Sequence, residues 1–394
     1  MRSVDALIVG GGPAGLAAGI VLGRAGLRVV LCERQSFPVD KVCGEGLMPT
    51  GVAYLQELGV AVGERFSFSG VRYLAPDGSS AAAPFREGPG WGVRRTVLSD
   101  ALLARARQVT SLCVRQNTEV TLTFVDERGV EALAGNEPLR ARLVVGADGL
   151  RSVVRRWAGL GSMRRRHWRW GARQHFALRP WSEYVEVSWS ECGVEAYVTP
   201  VGSCQVGVAF LWHRGRYKDL QGGDGLIGSL VAAFPALREQ LRDAPTLGPA
   251  RAVGPLQQQV KGVVADGVLL IGDAAGYLDA ITGEGLSLAL AQALALETTV
   301  VPALQDGTGL VRRQALERYQ KVSSRLARAT ARVAELALLL SRFPPLCRRA
   351  VRALRSDPRL FQELLSANMG LQPVYRLQTL ARLGWGLSGL SWRA

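Results

Sequence analysis

Lysine is nearly missing from this chain of 394 residues: it occurs only at positions 41, 218, 261 and 321, so the formal charge of +15 is almost entirely arginine. A nucleic-acid surface wants a basic stripe interleaved with aromatics on one element. The nearest approaches are the run Arg164-Arg165-Arg166-His167-Trp168-Arg169-Trp170 and the Arg-rich C-terminal third. No nucleic-acid partner is therefore expected. Attraction of an anionic substrate, a carrier protein or a membrane surface accounts for the charge more simply. Cysteine is sparse and scattered (32, 43, 113, 192, 204, 347), with no C-x-x-C pair and no histidine cluster. Neither a disulfide framework nor a zinc site is suggested, and no metal is expected. No apolar run reaches the ~18–20 residues that a membrane-spanning helix needs, and no repeat or low-complexity tract is visible. The first strand begins within a few residues of Met1, which leaves no room for a signal peptide, so a cytoplasmic location is expected.

Glycine, in contrast, is abundant and placed with purpose. Residues 4–33 read as a strand, a glycine turn, a helix and a second strand ending in an acid. The turn is Gly10-Gly11-Gly12-Pro13-Ala14-Gly15, and the second strand runs Leu27-Arg28-Val29-Val30-Leu31-Cys32-Glu33. Gly10 makes the tight turn, Gly12 admits a pyrophosphate to the backbone, and Gly15 lets helix and strand pack closely. The helix N-terminus offers free N–H groups to an anion. Glu33 follows about 20 residues on, where a carboxylate takes ribose hydroxyls. This unit binds a dinucleotide.

The rest of the chain alternates between two textures. Helical spacing is expected near 49–58, over Arg95–Arg107, near 226–241 and from 285 to 301, with strands at 71–74, 119–125, 130–133 and 143–147. From about 168 to 260 the pattern changes to period two, as in Tyr184–Trp189, 195–199 and 204–210, which reads as half-buried antiparallel strands. Beyond 307 the chain reads as helices, broken at Pro344-Pro345 and Pro358. The division expected is a discontinuous dinucleotide domain (1–70, 95–166, 262–305), an inserted sheet (71–94, 167–261) and a helical C-terminal region (306–394).

Three further motifs follow hydrophobic strands or open a helix: Gly146-Ala147-Asp148-Gly149-Leu150-Arg151-Ser152-Val153-Val154-Arg155, then Gly272-Asp273-Ala274-Ala275-Gly276, then Thr282-Gly283-Glu284-Gly285-Leu286. Each delivers an Asp or a glycine backbone to the carboxyl edge of a sheet, where open α/β folds bind ligands. In this order after the first glycine unit, they resemble the FAD-dependent oxidoreductases of the para-hydroxybenzoate hydroxylase fold, over about residues 1–305. The resemblance implies an α/β protein: a Rossmann-type FAD-binding domain, an inserted antiparallel-sheet substrate domain and a helical C-terminal region. It also implies that Gly10, Gly12, Pro13, Ala14, Gly15, Glu33 and Arg34 serve the ADP half of FAD. Arg95 would reach the phosphates, Gly272 and Asp273 the ribityl chain or pyrophosphate, and Gly283, Gly285 and Leu286 the flavin ring. Asp148, with Ser152 and Arg155, matches the fingerprint that joins FAD and NAD(P)H binding in relatives. Lys41-Val42-Cys43-Gly44-Glu45-Gly46 and Gly283-Glu284-Gly285 look most like the geranylgeranyl-reductase branch, which implies that Cys43 and Gly44 sit beside the isoalloxazine. Three features depart from relatives. Ala280 stands where many have proline, and the halogenase W-x-W-x-I-P signature is absent, the nearest run being Trp168-Arg169-Trp170-Gly171-Ala172. Thr199, between Tyr197 and Pro200, replaces the Phe of the reductases' aromatic strand.

In such a protein the flavin carries the redox chemistry, and the chain supplies position, electrostatics and exclusion of water. Tyr184, Trp189, Tyr197, Phe210 and Trp212 are the aromatic candidates for the wall of a dry cavity. Cys43, Tyr197 and His175 are the candidate catalytic side chains, with His167 and His213 the other histidines. The C-terminal segments 327–340 and 374–387, with Trp385 and Trp392, are read as capping this cavity, the alternative being a membrane surface or a carrier-bound substrate. The reading is an FAD-dependent monooxygenase that hydroxylates or epoxidises a hydrophobic, aromatic or polyketide-like small molecule with NAD(P)H and O2. The alternatives are an FAD-dependent reductase or dehydrogenase acting on C=C or C–C bonds of an isoprenoid or carrier-tethered substrate, and a non-catalytic flavin-binding partner. No second glycine unit for a nicotinamide is visible, and oligomeric state is not legible.

Overall fold

The computed structural model describes residues 1–162, 168–213, 215, 225–372 and 382. Arg164–166, His167 and the segment 374–387, together with Trp392, lie outside the described residues apart from Arg382.

Hydrophobic runs too uniform to alternate form the central sheet, because both of its faces are covered. Its strands run in the order Val264–Ala265, Val268–Leu270, Glu137–Gly146, Arg2–Val9, Val29–Cys32, Leu112–Arg115. All neighbours are parallel except the short Val264–Ala265 edge. A hairpin of Val120–Asp126 and Gly129–Ala134 pairs antiparallel with Glu137–Gly146. Register is what positions the site. Val9 lies level with Gly146 and Cys32, and Gly146 with Leu270. The residues that follow (Gly10, Glu33, Ala147 and Ile271) therefore leave the sheet along one edge.

The inserted sheet has the order Thr246–Val253, Arg169–Phe176, Gln205–His213, Val194–Gly202, Tyr184–Trp189, Gly70–Leu74, Ser80–Pro84. Its joins are antiparallel, apart from Tyr184–Trp189 against Gly70–Leu74, which is parallel. Those two strands come from chain segments separated by the second flavin-domain segment, so no hairpin imposes antiparallel pairing. The strand Thr246–Val253 escapes a sequence reading because its side chains are mostly exposed and show no alternation. The helix expected near 226–241 is two, Gly225–Val231 and Pro235–Gln240, with Pro235 starting the second. The helix expected from 285 to 301 ends at Thr299, and Val301–Asp306 begins anew with Pro302, which has no N–H to continue the ladder.

The C-terminal helices Glu317–Arg342, Pro344–Ser356 and Pro358–Asn368 break where the prolines stand. They cover the strands Gly70–Leu74, Ser80–Pro84 and Tyr184–Trp189, burying Val71, Val185, Val187, Val351, Leu354 and Phe361 in one cluster. Tyr73 packs between Trp189, edge-on at 5.1 Å between centroids, and Phe361, tilted at 4.7 Å. Among the described residues no helix is long and apolar enough to cross a membrane.

Candidate cofactor and active site

The glycine turn is built by close approach. A Cβ added to Gly15 would lie 1.9 Å from the Gly10 carbonyl oxygen, and one on Gly10 (φ +108°) would lie 2.5 Å from that of Ala147. Gly12 differs: its Cβ would meet only Lys41 Nζ, at 3.8 Å, because this face opens on a cavity. Gly10, Gly15 and Glu33 stand behind the cavity wall, whereas Gly12, Pro13, Ala14 and Arg34 line it. The Glu33 carboxylate accepts hydrogen bonds from the amides of Gly11 (2.7 Å) and Gln35 (3.0 Å), which fixes its place at the strand tip.

Around this turn the other tips converge. Asp148 Oδ2 accepts from the amides of Val153 (2.6 Å) and Val154 (3.2 Å), and Ser152 Oγ accepts from that of Arg155 (2.9 Å), capping the helix Val153–Trp157. Arg155 then ties this loop to the next, donating to the carbonyls of Ala274 (3.0 Å) and Leu150 (2.6 Å). Asp273 is half-buried, and desolvation raises its pKa despite the neighbouring cations Lys41, Arg95 and Arg155. Burial likewise lowers that of Lys41, against the pull of Glu33 and Asp273. Arg95 Nη1 and Asp148 Oδ1 are buried without hydrogen-bond partners, in two residues that line the cavity. A buried donor of this kind is costly unless something fills the space and satisfies it. Cations, an unsatisfied guanidinium N–H and a side-chain-free backbone at a helix N-terminus together fit the diphosphate of a dinucleotide such as FAD.

The cavity extends over about 1200 Å³, beyond the ~300–1,000 Å³ common for ligand clefts. It passes Gly272, Asp273, Gly283, Gly285 and Leu286, then continues between the inserted sheet and the C-terminal helices. Tyr73, Trp189 and Tyr197 form one wall of this extension, and Leu336, Leu340, Val351, Leu354 and Leu365 form the other. Of the other aromatic candidates, Phe210 touches the cavity. Tyr184 instead lies beneath the Arg72 guanidinium, and Trp212 packs in the core under the two short helices.

Cys43 and Gly44 line the cavity close to the loop that ends in Gly285. Burial pushes the Cys43 thiol pKa upward, so it stands as a neutral thiol, with Sγ accepting from the Glu45 amide at 3.3 Å. Tyr197 Oη donates towards Glu195 Oε2 (3.0 Å) and the Ile281 carbonyl (3.2 Å). His175 does not face the cavity: its ring is buried, with Nε2 2.5 Å from Glu45 Oε2, and Glu45 intervenes as the lining residue.

Several acids and bases here escape a reading of the sequence for cofactor contacts. Glu45, with a positive φ of 60°, accepts from the Arg95 amide (2.7 Å) and pairs with Arg173 (3.3 Å), which also pairs with Asp40 (2.8 Å). Arg169 binds Glu195 through two hydrogen bonds (2.9 and 2.8 Å) and forms an ion pair with Asp279 at 3.0 Å. Burial raises Asp279 to about 6 and Glu284 to about 8. Asn368 Nδ2, at the end of the last described helix, reaches the Thr282 carbonyl (3.1 Å) and Glu284 Oε1 (3.3 Å). Glu45 and Glu284 each sit in a Gly-Glu-Gly triplet. That repeated triplet is the sequence signal the two acids share.

Residues 3–334 match the family model described as an FAD binding domain. The chain is 31% identical over 309 residues to a menaquinone reductase of Mycolicibacterium smegmatis, covering 73% of each. It is 26% identical over 348 residues to digeranylgeranylglycerophospholipid reductase 1 of Methanothermobacter thermautotrophicus, covering 82% of each. A solved flavoprotein/dehydrogenase from Cytophaga hutchinsonii superposes with a TM-score of 0.82 at 20% identity, over 96% of this chain and 95% of that one, a likeness of fold.

Proposed function

The chain belongs to the FAD-binding domain family, and from that premise we propose that it is a reductase that saturates C=C bonds in the isoprenoid chain of a lipid or quinone. The observation that carries the reading is the cavity itself, whose lining joins the dinucleotide cradle to apolar side chains of the inserted sheet and the C-terminal helices. An apolar chamber of about 1200 Å³ that extends past the cradle admits a flexible hydrocarbon chain. The relatives named as reductases of menaquinone and of a geranylgeranyl lipid support the same substrate class.

Gly12, Lys41, Arg95, Asp273 and the backbone of Gly283 and Gly285 would hold FAD, which would supply the hydride equivalent once reduced, with NAD(P)H as the proposed reductant. The protein's own part is positional. Val187, Leu336, Val351 and Leu354 exclude water from the reacting carbons. Tyr197 holds the 276–284 loop at its proper height through the Ile281 carbonyl. Cys43, kept protonated by burial, brings a dissociable proton to the wall beside Gly44. His175, behind Glu45, serves the shape of that wall.

The test is anaerobic. Purified protein with FAD, NADPH or dithionite, and a polyprenyl lipid or quinone should yield a product that has gained two hydrogens. If product forms only with O2 and carries label from 18-O2, the monooxygenase reading replaces this one.

A further inference from the structure

We infer that the corner between the helices Glu317–Arg342 and Pro344–Ser356 docks on an anionic lipid surface. Both helices are two-faced. On the first, Val333, Leu336, Ala337 and Leu340 line the cavity, while Arg332, Glu335, Leu339 and Arg342 are exposed on the opposite side. On the second, Cys347, Ala350, Val351 and Leu354 line it, while Arg349, Arg352 and Arg355 are exposed. The turn between them is forced by Pro344-Pro345, which push Phe343 out of helical geometry (φ −124°, ψ 92°). Two large apolar side chains stand out at this corner: Leu339 is 49% and Phe343 47% exposed. Arg342 lies 5.8 Å from the Phe343 ring.

Exposed apolar groups rimmed by charge mark interaction surfaces, and here the charge names the partner. Residues 325–355 contain eight arginines and one acid, Glu335. Arg348 pairs with Glu191 and Arg352 with Asp77, and the stretch keeps its large excess of positive charge. A basic amphipathic surface with an apolar tip seats at the headgroup boundary, and anionic lipid strengthens it. A second copy of this chain would bring the same arginines together, so like-charge repulsion opposes self-association there. The purpose of docking rests on the proposed lipid-chain substrate, since the same helices wall the chamber.

The test is co-sedimentation of the FAD-loaded full-length protein with vesicles. Wild type should pellet with phosphatidylcholine–phosphatidylglycerol vesicles and much less with phosphatidylcholine alone. Binding should weaken as salt approaches ~1 M, where the screening length falls to ~3 Å. The double variant L339E/F343E should lose about tenfold or more of the partition coefficient, and L339A/F343A a smaller share, as expected from the apolar area withdrawn. Both should keep the wild-type flavin spectrum, because neither side chain lines the cavity. Wild-type protein that stays in the supernatant with anionic vesicles, or variants that bind as well as wild type, overturn the inference. So does a dimer that L339E/F343E converts to monomer with no vesicle binding by either, which would assign the patch to a second copy. Vesicle binding without reduction of any polyprenyl substrate would sink the proposed reaction and leave the docking surface standing.

Discussion

Gly12 and Gly15 belong to one turn and have opposite reasons to lack a side chain. Gly15 is packed against backbone, so even alanine there must move the helix off the strand. Gly12 faces the cavity, so a larger residue costs little in the folded chain but occupies the space of the cofactor. Gly12→Val should therefore melt near wild type yet emerge colourless from purification, whereas Gly15→Ala should lose both stability and flavin. A yellow Gly12→Val protein would refute the cradle. Lys41 reaches the same space, and a charge-assisted bond to a phosphate contributes about 1.5–3 kcal/mol. Lys41→Ala should raise the FAD dissociation constant by roughly 10- to 100-fold in a fluorescence titration. Cys43→Ser tests the proton on the wall: an unchanged turnover would leave the thiol a packing group.

At the scale of elements, the loop 276–284 is held from three sides. Asp279 meets Arg169 of the inserted sheet, the Ile281 carbonyl meets Tyr197, and Thr282 with Glu284 meets Asn368 of the C-terminal helix. The clamp links the inserted sheet and the C-terminal helices to the flavin-domain segment that carries Gly283 and leads into Gly285. Arg169 is the group to remove, since it leaves two buried carboxylates without a cation. Breaking a buried pair in this way costs about 3–5 kcal/mol, so Arg169→Met should show a sharply lower urea midpoint. A shift no larger than that of an exposed substitution would mean that the carboxylates find other partners. None of these contacts was legible from spacing. Arg169 and Glu195 are 26 residues apart and Asn368 is 84 from Glu284, and no local periodicity links residues at such distances.

For the whole molecule, the buried acids set how stability follows pH. Glu284 titrates near 4.5 when exposed and is raised to about 8 in the fold, because burial disfavours its charge. Between these values the folded state keeps a proton that the unfolded chain has released. Its contribution is thus complete below about 4.5 and is lost as pH rises to about 8. Asp279, raised to about 6, acts in the same direction over a narrower window. Wild-type stability should fall by on the order of a few kcal/mol across that range, and Glu284→Gln should flatten the slope. Parallel melting curves for the two proteins from pH 5 to about 8 would show that Glu284 is not the group responsible.

The amino-acid sequence by itself determined the dinucleotide unit, the alternation of the chain between two large sheets, and the helix breaks at Pro344 and Pro358. Each of these depends on residues close together in the chain: a glycine turn, a change from uniform to alternating hydrophobicity, a missing N–H. Tertiary structure alone decided that His175 turns away behind Glu45, that Lys41 enters the cradle, and that the C-terminal helices help to line the chamber. Those outcomes depend on which strands lie side by side and on how buried charges find partners across the fold. Both are set by packing in three dimensions, which a pattern of nearest neighbours does not encode.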